Sequence, residues 1–86
     1  MDKEILLSNI DKIHTTKLGI TRINNNLKID TDNVVDYCKN IILNNKCNIY
    51  KKGKNYYCEI QNMIITINSY NYCIITAHIL KRKIEN

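Results

Sequence analysis

The stretch "MIITINSYNYCIITAHI", Met63 to Ile79, decides the fold because its apolar residues recur with the period of two expected of a β-strand. It predicts two antiparallel strands, Met63–Asn68 and Tyr72–Ile79. A three-residue loop with Asn71 in the left-handed region joins them. The preceding sequence shows the same period, so this hairpin is read as the second half of a larger sheet.

Two further strands are predicted just before it, Cys47–Lys52 and Asn55–Ile60. Gly53-Lys54 suits a two-residue turn with glycine first, and Gln61-Asn62 is a polar pair that suits the next turn. The four strands therefore form an antiparallel meander in the order 1-2-3-4.

The register of the meander separates two kinds of side chain, because residues alternate between the faces of a strand. The loops pair Ile49 with Cys58, Cys58 with Ile65, and Ile65 with Ile75. One predicted face is apolar, with Lys51 at its margin: Cys47, Ile49, Tyr56, Cys58, Ile60, Met63, Ile65, Ile67, Cys73, Ile75, Ala77 and Ile79. The other is mixed: Asn48, Tyr50, Lys52, Tyr57, Glu59, Ile64, Thr66, Asn68, Tyr72, Ile74, Thr76 and His78.

Three helices are predicted before the strands, from apolar residues at helical spacing. The first runs from Lys3 to Ile13, and the second is capped by Thr15 or Thr16 and reaches Leu27, with Leu18, Ile23 and Leu27 on one side. The third follows the linker 28–32 and ends near Asn45. We expect an α+β fold in which three N-terminal helices cover the apolar face of the sheet. Residues 1–86 form a single domain, with helices about 3–45, sheet about 47–79 and a basic tail 80–86.

Composition favours a globular cytoplasmic protein with an anionic partner. Hydrophobic residues make up 44% of the 86 residues, no apolar run is long enough to cross a membrane, and no apolar segment follows the opening Met-Asp-Lys-Glu. The net charge of +5 points to RNA among possible partners, although an A·T-rich coding bias would also enrich lysine. The four cysteines lack paired short spacing, so we expect buried free thiols, no metal and no other cofactor.

The mixed face carries residues that could act on RNA. Glu59 and His78 are expected two strands apart and diagonal, roughly 10 Å or more given the spacing of strands. A carboxylate that accepts the 2′-hydroxyl proton and an imidazole that protonates the leaving oxygen would form a metal-independent ribonuclease. His14 and Arg22 are further catalytic candidates. The predicted RNA-binding set comprises Lys52, Lys54, Tyr57, Thr66, Asn68, Tyr72 and Thr76, with Tyr50 as another stacking ring.

A second hypothesis uses the same face without catalysis. Ile64 and Ile74 are expected side by side, which would form an apolar patch for a protein partner or a second copy of the chain. Polar residues are also ordinary on the solvated face of an antiparallel sheet, and His14 could simply pack at a helix junction. The sequence therefore leaves open whether the protein is an enzyme.

Several short segments together resemble a family of small uncharacterised bacterial proteins of unknown function. They are His14–Gly19 (HTTxxG), Arg22-Ile23 with Asn26-Leu27, Gly53–Tyr57 (GKNxY), Ile65–Asn68 (ITxN) and Ile74–His78 (IITAH). The resemblance covers about residues 10 to 79 and implies no activity. The layout of helices followed by an antiparallel meander is also similar to the barnase, colicin-nuclease and RelE-like ribonuclease folds, which implies a possible RNA-cleaving face.

Overall fold

A computed structural model describes residues 2–80, and the rest of the predicted basic tail, residues 81–86, lies outside the described part. The sheet is antiparallel with strands in the order β1-β2-β3-β4, which confirms the predicted α+β fold and meander. The elements in chain order are α1 (Asp2–Ser8), a 3-10 turn (Ile10–Lys12), α2 (Lys17–Leu27), α3 (Val34–Leu43), β1 (Asn48–Lys52), β2 (Asn55–Ile60), β3 (Met63–Asn68) and β4 (Ile74–Ile79).

The hydrophobic core lies between the helices and one face of the sheet. The predicted pairs Ile49–Cys58 and Cys58–Ile65 are confirmed. Cys58, Ile65 and Ala77 are fully buried in the centre of this face. The helices contribute Leu6, Ile23, Leu27, Val34, Cys38 and Ile42 to the same cluster.

The register between β3 and β4 differs from the prediction. Asn68 pairs its backbone with Cys73, so the loop between them has one residue more than expected, and the left-handed residue is Tyr72 rather than Asn71. A β-bulge then adds a second extra residue, because Ile67 pairs with Ile74 whereas Thr66 pairs with Thr76. Ile65 therefore faces Ala77 and not Ile75.

Four consecutive residues, two just before β4 and the first two of β4, consequently occupy positions other than the predicted ones. Ile74 is buried in the core at 2% exposure, whereas Ile75, the extra residue of the bulge, is 43% exposed. Cys73 is half-buried and outside the core cluster. Tyr72 packs against the core and stacks on Tyr56 with ring centroids 6.4 Å apart, so it does not lie on the mixed face.

The helices also differ in detail from their predicted extents. The first α-helix ends at Ser8, and Ile10–Lys12 forms a separate 3-10 turn. Within α2, Ile23 and Leu27 are buried as expected, but Leu18 is 75% exposed. The third helix is shorter than predicted, because α3 spans only Val34–Leu43.

A strap at residues 13–15 joins the helices to the edge of the sheet. The amide of His14 donates to Tyr72 O at 3.2 Å, and the amide of Ile74 donates to His14 O at 2.8 Å. Thr15 Oγ1 donates to Ile74 O at 3.3 Å. Thr16 then caps α2, since its side chain accepts the amide of Gly19 at 3.0 Å.

Gly19 lies where this strap approaches α2 so closely that a larger residue would force Thr15 to shift. A Cβ added at Gly19 would overlap Thr15 Oγ1 and lie 3.3 Å from Thr15 Cβ. The spacing of the HTTxxG segment is therefore explained by packing and capping at the junction between α2 and β4.

We expect Gly19→Ala to lower the free energy of unfolding by about 1–3 kcal/mol, as overpacking in a close contact usually does. Alanine favours a helix over glycine by about 1 kcal/mol, so a destabilising result would isolate the clash. Urea denaturation measures the change, and the Thr15→Ala/Gly19→Ala double variant should lose less than the sum of the two single variants. An increase in stability for Gly19→Ala alone would contradict this account.

Candidate functional site on the open sheet face

The sheet face opposite the core presents three cross-strand rows, which we call the open face. The first row is Asn48, Glu59, Ile64 and His78; the second is Tyr50, Tyr57, Thr66 and Thr76; the third is Lys52, Asn55 and Asn68. Tyr50, Tyr57 and Ile64 are half-buried but do not pack against the core cluster. Their partial burial therefore comes from neighbours in the sheet itself.

Two tyrosines and a carboxylate form the most ordered part of this face. The rings of Tyr50 and Tyr57 stack at a centroid distance of 5.5 Å and an interplanar angle of 22°. The hydroxyl of Tyr50 donates to Glu59 Oε2 at 2.6 Å. This hydrogen bond to the carboxylate raises the pKa of Tyr50 above its ordinary value, and partial desolvation adds to the rise. The predicted pairing of Ile49 with Cys58 already made Tyr50 and Glu59 diagonal neighbours, but sequence reasoning missed their bond.

Glu59 and His78 lie in the same row, with Ile64 between them, instead of on the predicted diagonal. Their backbones are therefore about 10 Å apart, two strand spacings. The bond to Tyr50 draws the Glu59 carboxylate toward β1, away from the strand that carries His78. The structure thus gives the two residues a common row but directs the carboxylate away from the imidazole.

The other two catalytic candidates lie away from this row. His14 pairs with Cys73 at the opposite end of β4 from His78, roughly 16 Å along the strand for a separation of five residues. Its Nδ1 lies 3.0 Å from Lys12 O. Arg22 is exposed on α2, next to Ile23, which points into the core. The structure therefore does not bring His14 and Arg22 together with Glu59 and His78.

The net positive charge arises in residues 46–86, where acidic side chains are scarce; three of the basic side chains there, at 81–83, lie outside the described residues. Residues 1–45 carry six basic and six acidic side chains, whereas residues 46–86 carry seven basic and two acidic ones, which accounts for the net charge of +5. Lys52 ends β1 on the open face, and Lys54 lies in the following turn. Within residues 2–80, neither ammonium group has an ion-pair partner.

The remaining predicted binding residues have unequal access to a ligand. Thr76 is half-buried on the open face, whereas Thr66 lies between Tyr57 and Thr76 and is only 7% exposed. Asn68 Oδ1 accepts the amides of Tyr70 and Asn71 at 2.8 and 3.0 Å, so this side chain holds the β3–β4 loop. Tyr72 lies on the core side, where Lys12 Nζ is 5.8 Å from its ring centroid.

The cysteines are all free thiols, and three of them lie in the core. Burial raises the pKa of Cys38 to about 12. Hydrogen bonding between Cys47 and Cys58 lowers the pKa of Cys47 and, together with burial, raises that of Cys58. Within the described part of the chain, no group of three or more His, Cys, Asp or Glu side chains is placed to hold a metal ion. Over the same residues, no pocket would enclose a small molecule.

These features define a small α+β domain with helices on one face of the sheet and, within residues 2–80, no helix on the other. The chain belongs to a protein family of unknown function, DUF3781, whose model matches residues 7–78. No curated protein and no solved structure matches the chain at a significant level. None of the helices within residues 2–80 has the length and apolar character needed to cross a membrane.

We expect Glu59→Gln to lower the pKa of Tyr50 toward its ordinary value, because glutamine keeps an acceptor but removes the negative charge. The stabilisation from a raised tyrosine pKa is complete below the unfolded value of about 10 and is lost as pH rises through the folded value. NMR titration of tyrosine labelled at Cζ measures the pKa, and Tyr50→Phe identifies the resonance. An unchanged Tyr50 pKa in Glu59→Gln would show that the carboxylate does not cause the shift.

Proposed function

We propose that this protein is a non-catalytic module that binds single-stranded RNA on its open face. The observation that carries the proposal is the stacked pair Tyr50 and Tyr57, which lies beside the unpaired Lys52 and Lys54 on a face that no helix of residues 2–80 covers. Lys52 is two residues beyond Tyr50 on the same strand and face, about 7 Å away. Aromatic rings next to basic side chains are the combination that binds single strands.

The lack of a pocket within residues 2–80 supports a polymer as ligand. Because no pocket occurs within residues 2–80, a small molecule would leave most of its surface in water. A single strand can instead lie along the sheet, with bases against the tyrosine rings and phosphates beside the lysines. A duplex keeps its bases stacked on one another, so it offers no free base plane to Tyr57.

Two observations favour RNA over a protein partner. The predicted apolar patch of Ile64 and Ile74 is absent, because Ile74 is buried in the core. Both edges of the sheet also have backbone groups in use: Asp2 Oδ2 accepts the amide of Lys51 at 3.1 Å, and the His14 strap bonds to the start of β4. Strand addition by a second copy or an extended peptide is therefore disfavoured.

Metal-independent RNA cleavage is the second candidate, supported by the common row of Glu59 and His78. The two residues flank Ile64, so a phosphodiester lying over Ile64 would have a carboxylate on one side and an imidazole on the other. The bond to Tyr50 directs the Glu59 carboxylate toward β1, away from the strand that carries His78, so the pair is not aligned on one phosphodiester. We rank cleavage below binding for that reason.

We expect a single-stranded RNA of mixed sequence to bind, and Tyr57→Ala to weaken its affinity about 5–150-fold, corresponding to the 1–3 kcal/mol of one base–aromatic stack. The double variant Lys52→Gln/Lys54→Gln removes two expected phosphate contacts. The slope of log affinity against log salt concentration should therefore become shallower by the amount expected for two phosphates. Fluorescence anisotropy at several salt concentrations measures both effects. Thermal melts check that the variants remain folded.

A matched control is Lys17→Gln/Lys28→Gln, which removes the same charge from exposed positions on the helical layer. Its affinity and salt dependence should stay closer to those of the unmodified protein. An equal loss in both double variants would indicate diffuse charge attraction and overturn the assignment to the open face. A lack of binding to any single strand would overturn the proposal itself.

The same samples, incubated with EDTA and separated on a denaturing gel, distinguish binding from cleavage. Our proposal expects intact RNA. If the second candidate is correct, the RNA is cleaved, and His78→Ala and Glu59→Gln each slow cleavage by about 10²–10⁴-fold. The stability of His78→Ala should change by no more than about 0.5 kcal/mol, since this residue is not part of the core. Cleavage that is unaffected in both variants would place the chemistry on other residues.

A further inference from the structure

We infer that Glu59 makes the open face selective for guanine, an inference that rests on the proposed binding of single-stranded RNA. Glu59 is the only acidic residue in the sequence between Asp36 and Glu85. It lies in the first row of the open face, on the inner strand β2 that also carries Tyr57. A carboxylate repels the phosphate backbone, so at this position it would weaken RNA binding unless it contacts a base.

The Glu59 carboxylate is oriented but still able to accept hydrogen bonds. Its Oε2 accepts the hydroxyl of Tyr50 at 2.6 Å, which fixes one oxygen. Within residues 2–80, Oε1 has no hydrogen-bond partner. An ionised carboxylate has about four acceptor positions, so Oε1 and one lone pair of Oε2 remain for a ligand.

Guanine is the base whose edge matches such a pair of acceptors. Its Watson–Crick edge presents two adjacent donors, N1–H and the 2-amino group, which can bond to both oxygens of one carboxylate. Adenine and cytosine each present an amino group beside a ring nitrogen acceptor, and that nitrogen would face a carboxylate oxygen. Uracil presents one N–H between two carbonyl groups. Only guanine therefore avoids placing an acceptor against Glu59 while it forms two charge-assisted hydrogen bonds.

The position of the tyrosines makes this contact sterically reasonable. Tyr57 and Glu59 are two residues apart on β2 and point to the same face, so their Cα atoms are about 7 Å apart. A base that stacks on the Tyr57 ring would direct one edge toward the neighbouring position on that face. Tyr50, which stacks on Tyr57 and bonds to Glu59, ties the stacking surface and the acceptor together.

The test uses oligouridine strands that contain one central guanosine, inosine, adenosine or cytidine. Inosine keeps N1–H but lacks the 2-amino group, so it removes one of the two predicted hydrogen bonds. We expect guanosine to bind about 5–150-fold more tightly than adenosine or cytidine, the effect of a bidentate base contact, with inosine between them. Anisotropy titrations at one fixed salt concentration measure the four affinities.

Glu59→Gln should abolish the preference, because its amide presents one acceptor and one donor. Asp30→Asn is the matched control, since it removes one negative charge from an exposed residue outside the sheet and should leave the preference intact. Tyr50→Phe should reduce the guanosine preference without equally reducing overall binding, as expected of a positioning residue.

The outcomes separate this inference from the function on which it rests. Tight binding of all four strands without preference overturns the guanine assignment and leaves RNA binding in place. A preference that persists in Glu59→Gln also overturns it, because another residue must then read the base. A failure of all four strands to bind, together with the mixed-sequence RNA, overturns the proposed function.

Discussion

The alternation of side chains along each strand is the constraint on which this structure depends. Ile65 and Ala77 face each other under the helices and are fully buried, so their neighbours Thr66 and Thr76 must point to the other side. Most apolar side chains of the sheet point to one face, so the helices pack against that face. The stacked tyrosines, Glu59 and His78 are left together on the open face by the same alternation.

The strap at residues 13–15 fixes the position of the helices relative to the β4 edge of the sheet. Its backbone hydrogen bonds to Tyr72 and Ile74 fix the first turn of α2 against β4 and occupy polar groups that an edge strand would otherwise expose. Tyr72 adopts a left-handed conformation at φ 61°, which is unfavourable for a bulky residue. Its stacking on Tyr56 and its bond to His14 offset that cost. The backbone of His14, a residue that the sequence marks as a catalytic candidate, thus joins the two layers, while its side chain is exposed.

The sequence was sufficient to predict the sheet order, the first two registers and the faces of residues 76–79, but not the start of β4. The longer loop and the bulge each shift the register by one residue. The longer loop alone would reverse the two faces of β4, and this reversal buries Ile74. The bulge reverses them again, so Thr76 and His78 return to the open face. The bulge at Ile75, between Ile74 and Thr76, leaves no glycine or proline signal in the sequence. Nothing local therefore distinguished Ile74 from Ile75, and Asn71 was the reasonable residue to expect in the left-handed region.

The distribution of charge is not explained by the stability of the fold. Like charges that lie close together repel, and Lys52 and Lys54 have no ion-pair partner within residues 2–80 to offset that repulsion. The helical half is balanced, with six basic and six acidic side chains, so a positive excess is not a requirement of the whole chain. Basic side chains are almost equally frequent in the two halves, six against seven, so the contrast comes from the scarcity of acidic side chains in residues 46–86. Under the proposed function, the phosphates of an RNA strand would relieve the repulsion, because they would supply the partners that these lysines lack within residues 2–80. Glu59 lies in the first row of this face and Lys52 in the third, with the stacked tyrosines in the row between them. If the face binds RNA as proposed, a base on the tyrosines would have the carboxylate, which Tyr50 holds in position, on one side and the ammonium group on the other.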